Sequence, residues 1–197
     1  MTGKNILIVG VGGQGVILAS NLLAEAALTA GFDVKKTDTI GMAQRGGSVV
    51  SHLRYAETVS SPLIPTGEVD LLISFEKLEA VRWVHLMKPE GVVIVNNLAL
   101  FPLSVTLGNE SYPSDIKLKE MLTGSCVEVH IVPGTVFAAG LGNPKMVNTV
   151  LLGYASAFLD ISPDIVMSTI EANLPEKLRK INVAAFQKGR SLSPAKE

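Results

Sequence analysis

Two stretches of this 197-residue chain set residue types capable of chemistry at informative spacings. The first, residues 6–18, reads ILIVGVGGQGVIL, so an apolar run enters a glycine turn, Gly10-x-Gly12-x-x-Gly15, and a second apolar run leaves it. In such a turn Gly10 permits a sharp reversal, Gly12 the close approach of a phosphate, and Gly15 tight packing of helix on strand. Backbone N–H groups at the helix start then face an anion. The same fingerprint wants an acid at the end of the second strand to take a ribose hydroxyl, and Asp38 stands at a fitting distance along the chain. Gly13 and Gln14 are unusual companions in that turn. The Gln14 amide can bond a ligand or a neighbouring chain, and glycines here can equally serve only to fold a strand sharply into a packed helix.

The second stretch, DTIGMAQRGGSVVSHLRYA (38–56), sets Arg45 beside Gly46, Gly47 and Ser48. A guanidinium next to flexible backbone suits a carboxylate, a phosphate or an acidic group on a partner. A solvated arginine on a surface turn has the same sequence. No Tyr-x-x-x-Lys pair follows, and His52, His85 and His130 stand far apart with no carboxylate or cysteine at ligand spacing, so no metal site is read. Cys126 is the one cysteine, which excludes an intrachain disulfide, a CxxC redox pair and an iron–sulfur cluster held by this chain alone. Within CVEVHIV it reads as a buried core thiol. No residue is assigned a catalytic role.

These loops need a scaffold, and the hydrophobic pattern supplies one. Residues 5–10 form a short apolar, β-branched run consistent with a central strand. Residues 13–30 place Val16, Leu18, Leu22, Leu23, Ala26 and Ala27 near one helical face and stop at Gly31, where a helix C-terminal glycine belongs. FDVKKTDT (32–39) follows as a second strand, giving a βαβ unit with parallel strands and a right-handed crossover. Val49, Ser51, Leu53 and Tyr55 alternate onto one face of a further strand. Residues 57–69 form a proline-containing loop long enough to be functional or partner-bound. Residues 70–97 read as strand, helix, a Pro89-Glu90-Gly91 turn and strand. A helix from about Ser114, a strand at CVEVHIVPG and a helical remainder complete the chain. The fold class is α/β: a Rossmann-like, doubly wound, mostly parallel sheet with helices on both faces and a helical C-terminal region. Residues 1–190 form one domain, and 191–197 a disordered tail.

Composition narrows the function. At 47% hydrophobic and 18% charged residues the chain is globular, and both figures point to surface covered by a partner, although buried parallel strands raise the first. A net charge of −1 with no basic block gives no footprint for nucleic acid. KLRK (177–180) reads as a solvated helix face. Glycines, Gln14, Asn21 and Glu25 interrupt the apolar stretches, so no membrane helix is read, and with no signal peptide the expected compartment is the cytoplasm.

GVGGQGVILAS (10–20), GMAQRGGSVVSHLR (41–54), SPLIP (61–65) and VNTVLLG (147–153), in this order, resemble the gamma-type domain of the 2-oxoacid:ferredoxin oxidoreductases. The GMAQRGGS form is most similar to the beta subunit of the indolepyruvate branch. The resemblance implies oxidative decarboxylation of a 2-oxoacid to an acyl-CoA, with coenzyme A as co-substrate and ferredoxin as electron acceptor. It also implies that thiamine diphosphate, magnesium and [4Fe–4S] clusters lie on a large partner subunit, with no cofactor bound by this chain alone. The sequence agrees, because one cysteine cannot build a cluster and no GDG-type thiamine motif is present. By this resemblance Gly12, Gly13, Gln14, Gly15, Met42, Ala43, Gln44, Arg45, Gly46, Gly47 and Ser48 line a substrate or coenzyme A channel or a subunit interface. Asn148 and Gly153 serve helix packing or an interface. Two alternatives stay open: a free-standing NAD- or FAD-binding oxidoreductase, and a non-enzymatic docking module.

Overall fold

The apolar runs become the centre of a six-stranded sheet. The computed structural model describes residues 3–40, 47–124 and 128–194. Its strands are β1 (Lys4–Val11), β2 (Asp33–Ile40), β3 (Ser48–Ala56), β4 (Val69–Ser74), β5 (Met87–Asn96) and β6 (Glu128–Val132). The helices are α1 (Val16–Thr29), α2 (Lys77–Trp83), α3 (Leu103–Thr106), α4 (Asp115–Thr123), α5 (Gly134–Gly140), α6 (Val147–Ala155), α7 (Pro163–Asn173) and α8 (Glu176–Leu192). Strand order is β2-β3-β1-β4-β5-β6.

β1, β4, β5 and β6 pair in parallel, while β3 is antiparallel to both β1 and β2. β1 and β2 therefore do run the same way, as the βαβ reading expects, but β3 separates them. Each strand presents alternate residues to the two faces. Ile6, Ile8, Leu53, Tyr55, Leu71 and Ile94 bury against α1, α6, α7 and α8. Leu7, Val9, Val50, Leu72, Val93 and Val95 pack on the opposite side with Ala80 of α2 and Leu122 of α4. Helices thus cover both faces of a mostly parallel sheet.

Local signals held in several places. Gly31 adopts φ 91° after α1, and the N–H groups of Gly31 and Phe32 donate to the carbonyls of Leu28 and Ala27 at 3.0 and 3.1 Å. Ser114 caps α4, its hydroxyl oxygen accepting from the Lys117 amide at 3.3 Å. Two expectations change. Leu18 is 41% exposed and leaves the buried face of α1. Pro89-Glu90-Gly91 lies inside β5 as an irregularity, since Val69 pairs with Met87 and Leu71 with Val92. α8 extends to Leu192. Cys126 and residues 195–197 lie outside the described residues. Among the described residues no helix is long and apolar enough to cross a membrane.

α6 and α8 cross at two glycines. A Cβ on Gly153 would stand 2.9 Å from the Phe186 carbonyl carbon, and one on Gly189 2.8 Å from that of Val150. Gly153 therefore serves helix packing.

The 57–68 loop leaves β3 at the amino ends of the parallel strands, the end opposite the glycine turn. It is bound back onto the sheet: the Val59 amide donates to Asp33 Oδ2 (2.8 Å), Arg54 Nη1 to the Ser61 and Leu63 carbonyls (3.2 and 3.1 Å), and the Ile64 amide to His52 Nδ1 (3.3 Å). Burial lowers the His52 pKa from its ordinary 6.5. Only the neutral ring accepts the Ile64 bond. The unfolded chain binds the extra proton first, so stability falls as pH drops below 6.5 and goes on falling to the lower folded value. In melts from pH 8 to pH 5, His52→Gln should flatten that loss; an unchanged slope would exclude His52 as its source.

Candidate functional site

β1 ends at Val11, and the chain must re-enter a helix at Val16. Gln14 makes the turn possible from within. Its Oε1 accepts from the Val11 amide at 2.7 Å and its Nε2 donates to the Phe75 carbonyl at 3.2 Å, bridging the carboxyl ends of β1 and β4. Gly10 is required beneath it, because a Cβ there would stand 2.8 Å from Gln14 Oε1 and 2.9 Å from Val16 Cγ2. Gly15, at φ 83°, caps α1, and a Cβ on it would stand 2.9 Å from the Asn148 side-chain nitrogen. Gly13 has φ 95° and open space around it.

The Gly12 amide, the group a bound phosphate would need, donates instead to the Gly47 carbonyl at 2.9 Å. The glycine turn and the start of β3 are therefore joined at one end of the sheet. Gly47 and Ser48 belong to this junction, whereas Met42, Ala43, Gln44, Arg45 and Gly46 lie outside the described residues.

Asp38 does not complete a nucleotide site. Lys36 Nζ bonds both its carboxylate oxygens (2.7 and 2.6 Å), and Ser51 Oγ donates to Oδ1 at 2.5 Å. Asp38 is also level with Ser51 and, through it, Ile8, inside the sheet rather than beyond its edge. With β3 between, β2 stands two strand spacings from β1, roughly 9.6 Å. A ribose held at the glycine turn would not meet this carboxylate. A dinucleotide at 100 times its dissociation constant would add ~2.7 kcal/mol of stability. NAD or FAD is expected to leave the melting temperature unchanged, and a clear upward shift would restore the dinucleotide reading.

Beside the turn lies a mostly apolar groove of about 510 Å³, walled by Gly13, Gly15, Leu18, Leu100, Met146 and Leu178 among others. Asn148, 4% exposed, sits at its edge. Its Oδ1 accepts from the Thr149 amide at 2.8 Å, Thr149 Oγ1 donates to Asn182 Oδ1 at 2.6 Å, and Asn182 Nδ2 donates to the Leu178 carbonyl at 2.8 Å. This chain of bonds ties the start of α6 to α8 behind Gly15.

Sequence reasoning missed two buried carboxylates on the other side of the turn. Glu76, 1% exposed, caps α2: its Oε2 accepts from the Glu79 amide at 2.9 Å. Its Oε1 accepts from the Leu100 amide at 3.1 Å and from the Tyr112 hydroxyl at 2.5 Å. Burial, reinforced by the Glu76 carboxylate, pushes the Tyr112 hydroxyl well above its ordinary pKa, so it stays a donor. Glu79, 2% exposed, accepts from Ser48 Oγ and from Arg82 Nη1, both at 2.5 Å. A smaller cavity of about 180 Å³ lies over Glu79 and Arg82, bounded by Leu100, Phe101 and Pro102. The available signal was the spacing Glu76-x-x-Glu79 ahead of an apolar stretch, which resembles a capping box.

The fold and site define a Rossmann-like α/β domain in which the Gly12 amide is engaged by Gly47 and a mostly apolar groove lies beside the glycine turn. The family model for pyruvate ferredoxin/flavodoxin oxidoreductase matches residues 5–192, and the chain belongs to that family. It is 34% identical over 188 residues to the indolepyruvate oxidoreductase subunit IorB of Thermococcus kodakarensis, covering 94% of this chain and 93% of that one. It is 27% identical over 186 residues to the common gamma subunit of the pyruvate/ketoisovalerate oxidoreductases of Pyrococcus furiosus, covering 91% and 93%. Its fold is similar to part of the 2-oxoglutarate:ferredoxin oxidoreductase of Magnetococcus marinus, with TM-score 0.75 and 20% identity, over 98% of this chain and 31% of that longer one.

Proposed function

We propose that the chain is the accessory subunit of a cytoplasmic 2-oxoacid:ferredoxin oxidoreductase of the indolepyruvate kind. The observation that carries this reading is 34% identity across nearly the whole length of an indolepyruvate oxidoreductase subunit, against 27% for the pyruvate/ketoisovalerate gamma subunit. The complex would oxidatively decarboxylate an arylpyruvate, release carbon dioxide, transfer the acyl group to coenzyme A and pass the electrons to ferredoxin. Thiamine diphosphate, magnesium and the [4Fe–4S] clusters would reside on the large subunit. The donor set supports that division, since the chain has one cysteine. Among the described residues no three His, Cys, Asp or Glu side chains are grouped to hold a metal ion.

In this reading Gly12–Gly15 and Met42–Ser48 face the thiamine-bearing subunit and close the substrate or coenzyme A channel. The Gly12–Gly47 hydrogen bond, which ties the glycine turn to the start of β3, supports a shared role. The test is anaerobic co-expression with the large subunit and reduction of a viologen dye by indolepyruvate and coenzyme A. A coloured, active complex is expected, and a colourless chain eluting alone would overturn the reading. Arg45→Ala is expected to lower turnover of the assembled complex; unchanged assembly together with unchanged turnover would remove the loop from that role.

A further inference from the structure

The segment between β5 and α4 combines a firmly held backbone with exposed apolar side chains. Phe101, Leu103 and Leu107 are 64%, 72% and 65% exposed, and Leu100 39%. From Leu98 to Tyr112 the one charged residue is Glu110. An exposed apolar, charge-depleted segment of this kind is characteristic of the centre of a protein interface.

The backbone beneath is clamped. The Lys77 amide donates to the Leu98 carbonyl at 3.0 Å, and Glu76 accepts from both the Leu100 amide and the Tyr112 hydroxyl. The Phe101 ring tilts against Tyr112 with centroids 5.2 Å apart. A loose loop would fold its leucines back onto the domain. This one is pinned at both ends by a carboxylate that is 1% exposed. Pre-ordering of that sort lowers the entropy lost on association.

Leu100 also joins this surface to the candidate site. It borders both the groove beside Gly13–Gly15 and the smaller cavity with Phe101 and Pro102. We infer that Leu100, Phe101, Leu103 and Leu107 are the docking face for the large, thiamine-bearing subunit, with Glu76 as the residue that positions it. The inference rests on the proposed function. Two observations favour this occupant over a second copy. Through Leu100 the face borders the same groove as the Gly13–Gly15 turn, which the proposed function turns toward that subunit, and the same fold occurs as 31% of a longer oxidoreductase chain.

The test uses the full chain co-expressed with its large subunit. Leu103→Asp and Phe101→Asp are expected to weaken capture of the large subunit at least about tenfold. As surface changes they should leave the melting temperature of the isolated chain within about 2 °C. Leu63→Asp, at a 59% exposed leucine on the opposite end of the sheet, should capture normally. Glu76→Ala should weaken capture; Glu76→Gln, which keeps one acceptor oxygen for Leu100 and Tyr112 but turns an NH2 toward the Glu79 amide, should weaken it less. Wild-type affinity in both aspartate variants overturns the docking face. So does a wild-type dimer that the variants turn into monomer without loss of capture. Failure of the wild-type chain itself to capture the large subunit overturns the proposed function and this inference together, and is told apart by occurring without any substitution.

Discussion

Gly189→Ala is expected to lower the melting temperature by roughly 4–12 °C, although alanine is the better helix former. Its Cβ would stand 2.8 Å from the Val150 carbonyl carbon and 2.9 Å from the Tyr154 amide nitrogen, closer still to the Val150 oxygen. All three are backbone atoms, so no rotamer relieves the clash and α6 and α8 must part. That separation also loosens packing around Val150, Ala185 and Phe186, each no more than 1% exposed. Overpacking costs about 1–3 kcal/mol and sometimes more, and a backbone clash belongs at the upper end. The helix-propensity gain recovers only about 1 kcal/mol. The net loss, roughly 2–3 kcal/mol, converts at about 2–4 °C per kcal/mol for a chain of this size. Gly140→Ala is the matched control: it too ends up in a helix, with nothing within 4 Å of the new Cβ. Thermal melts in which the two variants coincide would show that the glycine crossing is not tight.

Glu79→Ala is expected to cost about 2–3 kcal/mol and to reduce turnover of the assembled complex by more than that loss of stability explains. The carboxylate is 2% exposed and accepts from Ser48, where the second glycine loop enters β3. A buried hydrogen bond to a charged group contributes about 1.5–3 kcal/mol, and its removal leaves the Ser48 hydroxyl unsatisfied. The Arg82 pair contributes less, because that side chain is 49% exposed and water screens it. Arg82→Ala should therefore cost under about 1 kcal/mol. Glu79→Gln keeps an acceptor for Ser48 and should fall between the two. Melts of the three variants, with kcat of each reconstituted complex, separate the contributions. Equal losses in Arg82→Ala and Glu79→Ala would place the energy in the ion pair and not in the Ser48 anchor.

What could be read from sequence followed how local the cause was. The apolar runs at 6–9, 71–73 and 92–95 announced strands because a strand covered on both faces needs no polar alternation. Gly31 and Ser114 announced helix ends because the caps they make are contacts within a few residues. Leu18 was misplaced because a leucine facing a groove has the same identity as one facing a core. Glu76 and Glu79 were missed because the groups that hold them, Tyr112, Leu100 and Ser48, are each more than 20 residues away along the chain.

The sequence by itself determined the α/β class, the glycine turn, the lack of cluster-forming cysteines and the family to which two short motifs belong. Each of these depends on residue identity or on neighbours along the chain. Tertiary structure alone decided that β3 stands between β1 and β2, that Gly12 meets Gly47, and that Asp38 is held by Lys36 and Ser51. A β-strand's pattern specifies which face it buries but not which strand it lies beside, and pairing between distant segments is settled only when the whole core packs. That pairing set the Gly12 amide against the Gly47 carbonyl, so a turn with a nucleotide-binding sequence is tied to the loop that enters β3.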